Sequence, residues 1–381
     1  MKKITRIFFV IMVILAVIYF FLPAYVQIAL IHQTPDIDDY NIFENRTVKA
    51  GEGQPWPLSF HYNSYQISQK DREEMEALEP VAFLVIQNGE ILYEEYWDNY
   101  GPSSLSNSFS AGKSIVSLLV GIALDEGYIK SLDQKVMDFI PEYNKTGNRD
   151  LTIRNVLTMS SGLNWDEAYS SPFSLTTEAY YGSNLPSLIK SLDVVTTPGE
   201  KFKYLSGNSE VLAMIVQAAT GKSISDYASE KIWQKIGAEN DALWSLDHKN
   251  GMEKAYCCFN TNARDFARFG QLVLNQGKWD STQIVSWEYL KEAISPASYL
   301  LSKNDKPLDY YGFQYWIINY NGMKIPYMRG ILGQYIIPIK EKNAVVIRLG
   351  VKRSKDYKNH HPKDVYQYLD LAMKILETNK N

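Results

Sequence analysis

An α+β fold is what this sequence predicts: an antiparallel sheet flanked by helices, with a helical lobe inserted and one transmembrane-length apolar helix in front. Three observations carry that expectation. A hairpin pattern at residues 81–97 opens the globular part, mostly helical text with long loops fills about residues 128–300, and strand patterns return from Tyr310 before a terminal helix. Early and late strands separated by helices are expected to pair around the insertion, with a cleft between the two parts.

At the N-terminus, Lys2, Lys3 and Arg6 precede an unbroken apolar run from Ile7 to Leu22, and after Pro23 a second apolar piece reaches Ile31. The first run alone would suit a secretory signal, but the continuation to Ile31 is long enough to cross a bilayer with some tilt. No clear small-x-small cleavage site follows, and no cysteine is placed for lipidation. Residues 1–31 therefore read as an uncleaved single-pass anchor in the cell membrane, with a cleaved signal and a secreted protein as the alternative. The basic flank predicts a cytoplasmic N-terminus and an extracytoplasmic body.

Residues 32–79 are polar, with Pro35, Pro55, Pro57 and Gly51-Glu52-Gly53, and read as a membrane-proximal arm with little core of its own. The globular domain is expected over residues 80–381. It opens with Val81–Ile86, the turn pair Asn88-Gly89, and Ile91–Trp97. Next comes NSFSAGKSIVSLLVGIALDEG from Asn107 to Gly127, apolar at nearly every position from Ile115 to Leu124, as in a helix buried on most sides. Further helices are expected at 185–192, 210–220, 224–236 and 262–276. Strands should follow at 313–319, 324–329, 334–339 and 344–349, and a last helix at 363–378.

Composition narrows the function only coarsely. A net charge of −4 gives no footing for a nucleic-acid partner, while 27 tyrosines and 8 tryptophans suit a packed enzyme and a carbohydrate-like binding surface equally. The five histidines lack metal-ligand spacing, so neither a metal nor a cofactor is expected. Cys257 and Cys258 are adjacent, and read as two small buried residues rather than a vicinal bridge.

The chemistry is sought in the first turn of the apolar helix. Ser110 and Lys113 are three residues apart, so hydroxyl and amine share a face. Desolvation at the mouth of an apolar helix lowers a lysine pKa, and a neutral amine can deprotonate serine. The helix N-terminus adds N–H groups suited to an oxyanion. Serine is also a common N-cap, and Ser187 with Lys190 repeats the spacing. The Gly112-Lys113-Ser114 run fails as a phosphate loop because Asn107 stands where a glycine is needed, and no Gly-x-Ser-x-Gly elbow surrounds Ser110. Tyr204, after the Pro198-Gly199 turn, is either a packed phenol or a proton relay. Gly330 and Gly333 interrupt a strand pattern, which signals either a close backbone approach or a simple bulge.

Together these pieces resemble a family. Ser110-Ala111-Gly112-Lys113, Tyr204-Leu205-Ser206 and Met328-Arg329-Gly330 stand in the order of the Ser-x-x-Lys, Tyr-x-Asn and Lys-Thr-Gly motifs of serine beta-lactamases and penicillin-binding proteins. LTIRNVLTMSSGL from Leu151, NTNARDFARFGQLVLNQGKW from Asn260, YGFQYW from Tyr311 and RGILGQY from Arg329 are similar to the class C-related branch of esterases, D-amino-acid peptidases and 6-aminohexanoate-dimer hydrolases.

The resemblance implies a beta-lactamase/transpeptidase-like fold and acyl transfer through a serine ester. It makes Ser110 the nucleophile, Lys113 its base, Tyr204 the proton relay, and the backbone N–H groups of Ser110 and Ile331 the oxyanion hole. Ser206, Arg329 and Gly330 would contact substrate, and so would Tyr169. Two departures bear on substrate: Ser206 replaces the asparagine of the second motif, and Met328 replaces the lysine of the third, removing a partner for a substrate carboxylate. The expectation is hydrolysis of a small-molecule or peptide-like ester or amide. A true beta-lactamase or D-alanyl peptidase and a non-catalytic envelope-binding protein are the rivals.

Overall fold

The computed structural model describes residues 2–378. Its N-terminal apolar run is helix α1 (Lys2–Phe21), in which Ile4–Phe21 is long and apolar enough to cross a membrane and is nowhere buried. Pro23, which cannot continue a helix, separates it from α2 (Ala24–His32). The two apolar pieces therefore do not form the single long span expected from the sequence. The second docks on the globular body, with Val26 fully buried and His32 stacked on Tyr181 at 6.0 Å.

The expected loose arm is also docked. Its strand β1 (Asn45–Val48) pairs with a strand of the helical lobe, and Ile37 and Val48 are buried in the main core. The buried Asp39 carboxylate accepts a 2.6 Å hydrogen bond from Tyr180 Oη. Polar composition concealed this, because a few apolar side chains and paired polar groups suffice to tie an extended segment down. Helix α3 (Gln69–Glu76), N-capped by Ser68, leads into the domain.

Strands β2 (Pro80–Gln87) and β3 (Glu90–Tyr96) form the first hairpin, with Asn88 and Gly89 at positive φ in its two-residue turn. Strand β4 (Ser106–Asn107) then enters α4 (Gly112–Asp125), which is buried from Gly112 to Ala123. The lobe continues with α5 (Ile153–Leu157), α6 (Leu175–Tyr181), α7 (Leu185–Lys190), α8 (Gly207–Thr220) and α9 (Ile224–Ala228), the last running into a π turn. Strands β5 (Ala242–Ser245) and β6 (Phe259–Thr261) follow, then α10 (Ala263–Leu274), the small hairpin β7 (Lys278–Trp279) and β8 (Thr282–Gln283), and α11 (Trp287–Ala293). The chain closes with β9 (Trp316–Tyr320), β10 (Met323–Arg329), β11 (Tyr335–Ile339), β12 (Ala344–Gly350) and α12 (Lys363–Thr378).

The main sheet is antiparallel in the order β3-β2-β12-β11-β10-β9, so strands from the two ends of the domain lie side by side. Both faces are covered, which explains the continuous apolar text of its central strands. Leu84 and Ile347 point into the core shared with α4 and α10, whereas Phe83 and Val346 point into the core under α12. A smaller sheet, β1-β5-β6-β4, brings the strand before α4 against the segment that carries the cysteines. This is the mixed helix and sheet fold that the sequence predicts.

The cysteines correct an expectation: Cys257 and Cys258 are disulfide-bonded to each other. Cys258 takes a left-handed backbone angle (φ 69°), which turns its side chain back beside that of its neighbour.

Candidate active site

Three segments of different origin meet at the mouth of α4. The first is the turn into the helix itself. Phe109 is held at φ 43°, a conformation that side-chain-bearing residues adopt only under compulsion, and its N–H donates to Asn107 Oδ1 at 2.8 Å. Pairing of β4 with β6 fixes that turn, and Ser108 N donates to Phe259 O at 2.8 Å. Ser110 emerges half-buried at the top, one helical turn before the fully buried Lys113.

Lys113 Nζ lies 3.2 Å from Ser110 Oγ and donates to Tyr256 O at 2.6 Å. The rings of Tyr204 and Tyr256 face it at 5.5 and 5.4 Å. Lys113 forms no ion pair among the described residues. Burial lowers its pKa to about 8, against the opposing pull of Glu167 and Glu210. An amine of that pKa, so placed, can exchange a proton with the hydroxyl.

The second segment is residues 255–258. Glu210, buried on α8, accepts from Ala255 N at 2.8 Å and Tyr256 N at 3.3 Å, thereby holding the segment whose Tyr256 carbonyl accepts the lysine's hydrogen bond. Burial holds the Glu210 carboxyl well above the usual carboxylate range. The third is the loop before α8, where Tyr204 stacks on Trp316 at 5.5 Å. Burial raises the pKa of its phenol, the Glu167 carboxylate adds to this, and a hydrogen bond with Ser110 opposes it. Lys113 and Tyr204 thus converge on one hydroxyl.

Ser206 takes a different part from the asparagine it replaces in the pattern. Its N–H and Oγ both donate to Glu167, each at 2.6 Å, and the Tyr169 hydroxyl bonds the same carboxylate. Glu167 was not singled out in the sequence; an acid in a loop outside any motif carries no spacing signal.

The end of β10 explains its glycine. A Cβ on Gly330 would sit 2.3 Å from Ser108 O, so the strand passes directly beside the serine turn only because that position is bare. Ile331 follows and, like Ser110, lines the cleft. Arg329 corrects an expectation: it does not line that cleft. Strand alternation turns it away from Met328 into an aromatic layer, where its guanidinium lies 3.2 Å over the Trp316 ring and donates to His360 O at 3.0 Å. The cation bordering the cleft is Arg353, which has no ion pair among the described residues. It sits beyond the third motif in a polar run, where no pattern marked it.

The cleft measures about 710 Å³ and includes Ser110, Ser206, Tyr169, Tyr256 and Cys257 in its walls. The flanking stretches are structural. Gln314 of YGFQYW donates to Leu157 O at 2.7 Å and accepts from Ser209 Oγ at 2.7 Å and, through its carbonyl, from Ser114 Oγ at 2.6 Å, tying α5, α8 and α4 together. In NTNARDFARFG, Asn262 caps α10 and the buried Asp265 bridges Arg268 at 2.8 Å.

Comparison with known proteins places this geometry in context. A sequence model of the family described as Beta-lactamase matches residues 67–350. The 6-aminohexanoate-dimer hydrolase of Paenarthrobacter ureafaciens is 26% identical over 296 residues, covering 74% of each chain. Among solved structures, a provisionally assigned 6-aminohexanoate-dimer hydrolase from Bacillus anthracis superposes with a TM-score of 0.72 at 22% identity, covering 88% of this chain and 92% of that one. A family VIII carboxylesterase superposes with a TM-score of 0.62 at 17% identity, covering 84% of this chain and 99% of that one. At such identities the two structures establish the fold alone.

Proposed function

This chain belongs to the beta-lactamase family, and on that premise we propose that it is a serine hydrolase cleaving a carboxylic ester or amide through an acyl-Ser110 intermediate. Ser110 Oγ attacks the substrate carbonyl while neutral Lys113 takes its proton. The N–H groups of Ser110 and Ile331 stabilise the oxyanion, and Tyr204 passes the proton to the departing alcohol or amine. Water then attacks the ester in the reverse sequence and frees Ser110.

The observation that carries this reading is the amine 3.2 Å from the hydroxyl, buried without an acidic partner, with its pKa lowered to about 8. At pH 7 roughly one such amine in ten is neutral, against fewer than one in a thousand for an ordinary lysine. The relative described as a 6-aminohexanoate-dimer hydrolase supports a hydrolase reading. The test is fluorophosphonate labelling with hydrolysis of p-nitrophenyl acetate. Label on Ser110, and its loss in Ser110→Ala, is the expected result. Folded protein that neither labels nor turns over would instead favour an envelope-binding role.

One observation keeps a second reading in play. Met328 is buried where the resembling motif has a lysine, which disfavours recognition of a beta-lactam or D-alanyl carboxylate, but Arg353 puts a cation on the same cleft. Nitrocefin turnover that falls in Arg353→Ala would select it. We further propose that α1 is a single-pass anchor holding the domain outside the cell membrane. An intact mass of the membrane-extracted protein lacking roughly the first 30 residues would replace the anchor with a cleaved signal.

A further inference from the structure

Resting on the hydrolase reading above, we propose that the cleft beside Ser110 accepts a long unbranched acyl chain and that α2 forms one of its walls. The cleft has about 710 Å³ of space, in the range that encloses a drug-sized ligand and far more than an acetyl group fills. Ala29 and Leu30 of α2 share its apolar wall with Tyr180, Tyr181, Ile331 and Leu332, while serines and threonines from residues 170–177 and Arg353 form a polar border. Leu30 keeps 48% of its surface exposed although α2 itself is anchored by buried Val26 and by the His32–Tyr181 stack. An apolar side chain held open on a firmly docked helix is suited to contact with an apolar ligand.

Continuity with α1 points the same way. Leu30 lies nine residues beyond Phe21, the end of α1, and six of those intervening steps are helical. At ~1.5 Å per helical residue and at most ~3.6 Å per extended one, the cleft wall stays within roughly 20 Å of the end of α1. A substrate dissolved in the bilayer that holds α1 would thus meet the α2 side of the cleft first.

The reaction balances as an acyl transfer. The Ser110 Oγ–acyl bond forms as the bond to the leaving alcohol or amine breaks, and the serine proton goes by way of Lys113 and Tyr204 to that leaving group. Water then supplies hydroxide to the acyl carbon and a proton to Ser110, releasing a fatty acid.

The test compares p-nitrophenyl octanoate with p-nitrophenyl acetate on the full chain in detergent, for wild type, Leu30→Trp and Leu30→Asn. Each buried methylene is worth roughly fourfold, so kcat/KM for octanoate should exceed that for acetate by at least about thirtyfold. Either substitution should lower the octanoate-to-acetate ratio by about tenfold or more, and decanoate should compete with acetate hydrolysis in wild type. Acetate turned over as fast as octanoate, with Ser110 still labelled by fluorophosphonate, would overturn this inference alone. An unchanged ratio in both variants would overturn the role of α2. Absence of both labelling and turnover would overturn the hydrolase reading and this inference with it. A last arm separates the sources: the chain reconstituted in phosphatidylcholine vesicles is given p-nitrophenyl palmitate in the same bilayer. Turnover there upholds the proposal with a membrane lipid as acyl donor, and turnover of dissolved octanoate alone upholds it with a soluble amphiphile.

Discussion

Two Ser-x-x-Lys runs of this chain, one entering α4 and one inside α7, share their spacing but not their surroundings. Where the turn of residues 109–111 enters α4, Ser110 and Lys113 meet at the foot of a cleft, the amine buried and bonded to Tyr256 O. In α7, Ser187 is exposed and Lys190 reaches sideways to Glu142 at 2.7 Å, with 40% of its side chain in solvent. The same spacing thus gives a desolvated amine beside a hydroxyl in one place and a surface ion pair in the other. Spacing permits the chemistry, and burial without an acid is what activates it.

The largest effect expected on that contrast is in the nucleophiles. Ser110→Ala should lower kcat/KM for p-nitrophenyl octanoate by at least about a thousandfold, while Ser187→Ala should change it less than about twofold. A steady-state assay of the two variants side by side decides it. Equal losses would mean that spacing alone had been read correctly and environment wrongly.

Next in size is the lysine. Lys113→Met should cost roughly a hundred- to ten-thousandfold in kcat/KM, since it removes a general base without opening a cavity. It should not cost stability. Holding a lysine at a pKa of about 8 rather than the usual 10.5 opposes folding by about 3 kcal/mol at pH 7, where both folded and unfolded forms are mostly protonated. Methionine removes that penalty but leaves Tyr256 O without its donor, worth about 1–3 kcal/mol. Thermal unfolding should therefore show a Tm equal to or above that of wild type. A clearly lower Tm would show that the lysine is structural.

Legibility in the sequence followed the same division between pattern and environment. The hairpin at 81–97, the apolar text of α4 and the late strands were readable because side-chain periodicity records which faces are buried, and α12 falls at 363–378 as its pattern predicts. Ser110, Lys113 and Tyr204 were singled out because they lie in short motifs, and the structure brings the three together. Glu167, Glu210 and Tyr256 were invisible, since each is engaged by a contact across the fold that no local spacing encodes, and Arg353 lies in a polar run outside any motif. Arg329 was assigned to substrate from its motif position, although strand alternation already turned it the other way. The docking of α2 was hidden because an apolar stretch reads alike whether it lies in lipid or against protein. The Cys257–Cys258 bond goes with a left-handed backbone angle at Cys258, which the residue types do not announce.

A third effect acts on the approach of β10 rather than on the pair. Gly330→Ala places a methyl group 2.3 Å from Ser108 O, and a backbone oxygen cannot yield as a side chain does. The serine turn must shift, with a loss of about 1–3 kcal/mol in urea unfolding and tenfold or more in kcat/KM. No change in either would remove the close approach from the explanation. The pH profile comes fourth. Neutral Lys113 is the active form, so kcat/KM should rise about tenfold per pH unit below pH 8 and level off above it. A profile flat from pH 6 to 9 would mean that another group takes the proton.

The smallest effect falls on the other lysine, and for that reason it tests the contrast most sharply. Lys190 and Glu142 are both about two-fifths exposed, so water and salt screen most of their attraction, and such pairs are worth roughly 0–1 kcal/mol. Lys190→Met should shift urea unfolding by no more than that amount, still less at high salt, and should leave kcat/KM within about twofold. Lys113→Met has the opposite signature, with a large loss of activity and no loss of stability. Two identical substitutions at the same spacing would then diverge in both measurements, as expected where one amine is buried beside a hydroxyl in a cleft and the other is held by a carboxylate in solvent. If Lys190→Met instead cost activity on the scale of Lys113→Met, desolvation could not be what separates the two sites, and Lys113 would have to act through its hydrogen bond to Tyr256 O rather than through its proton.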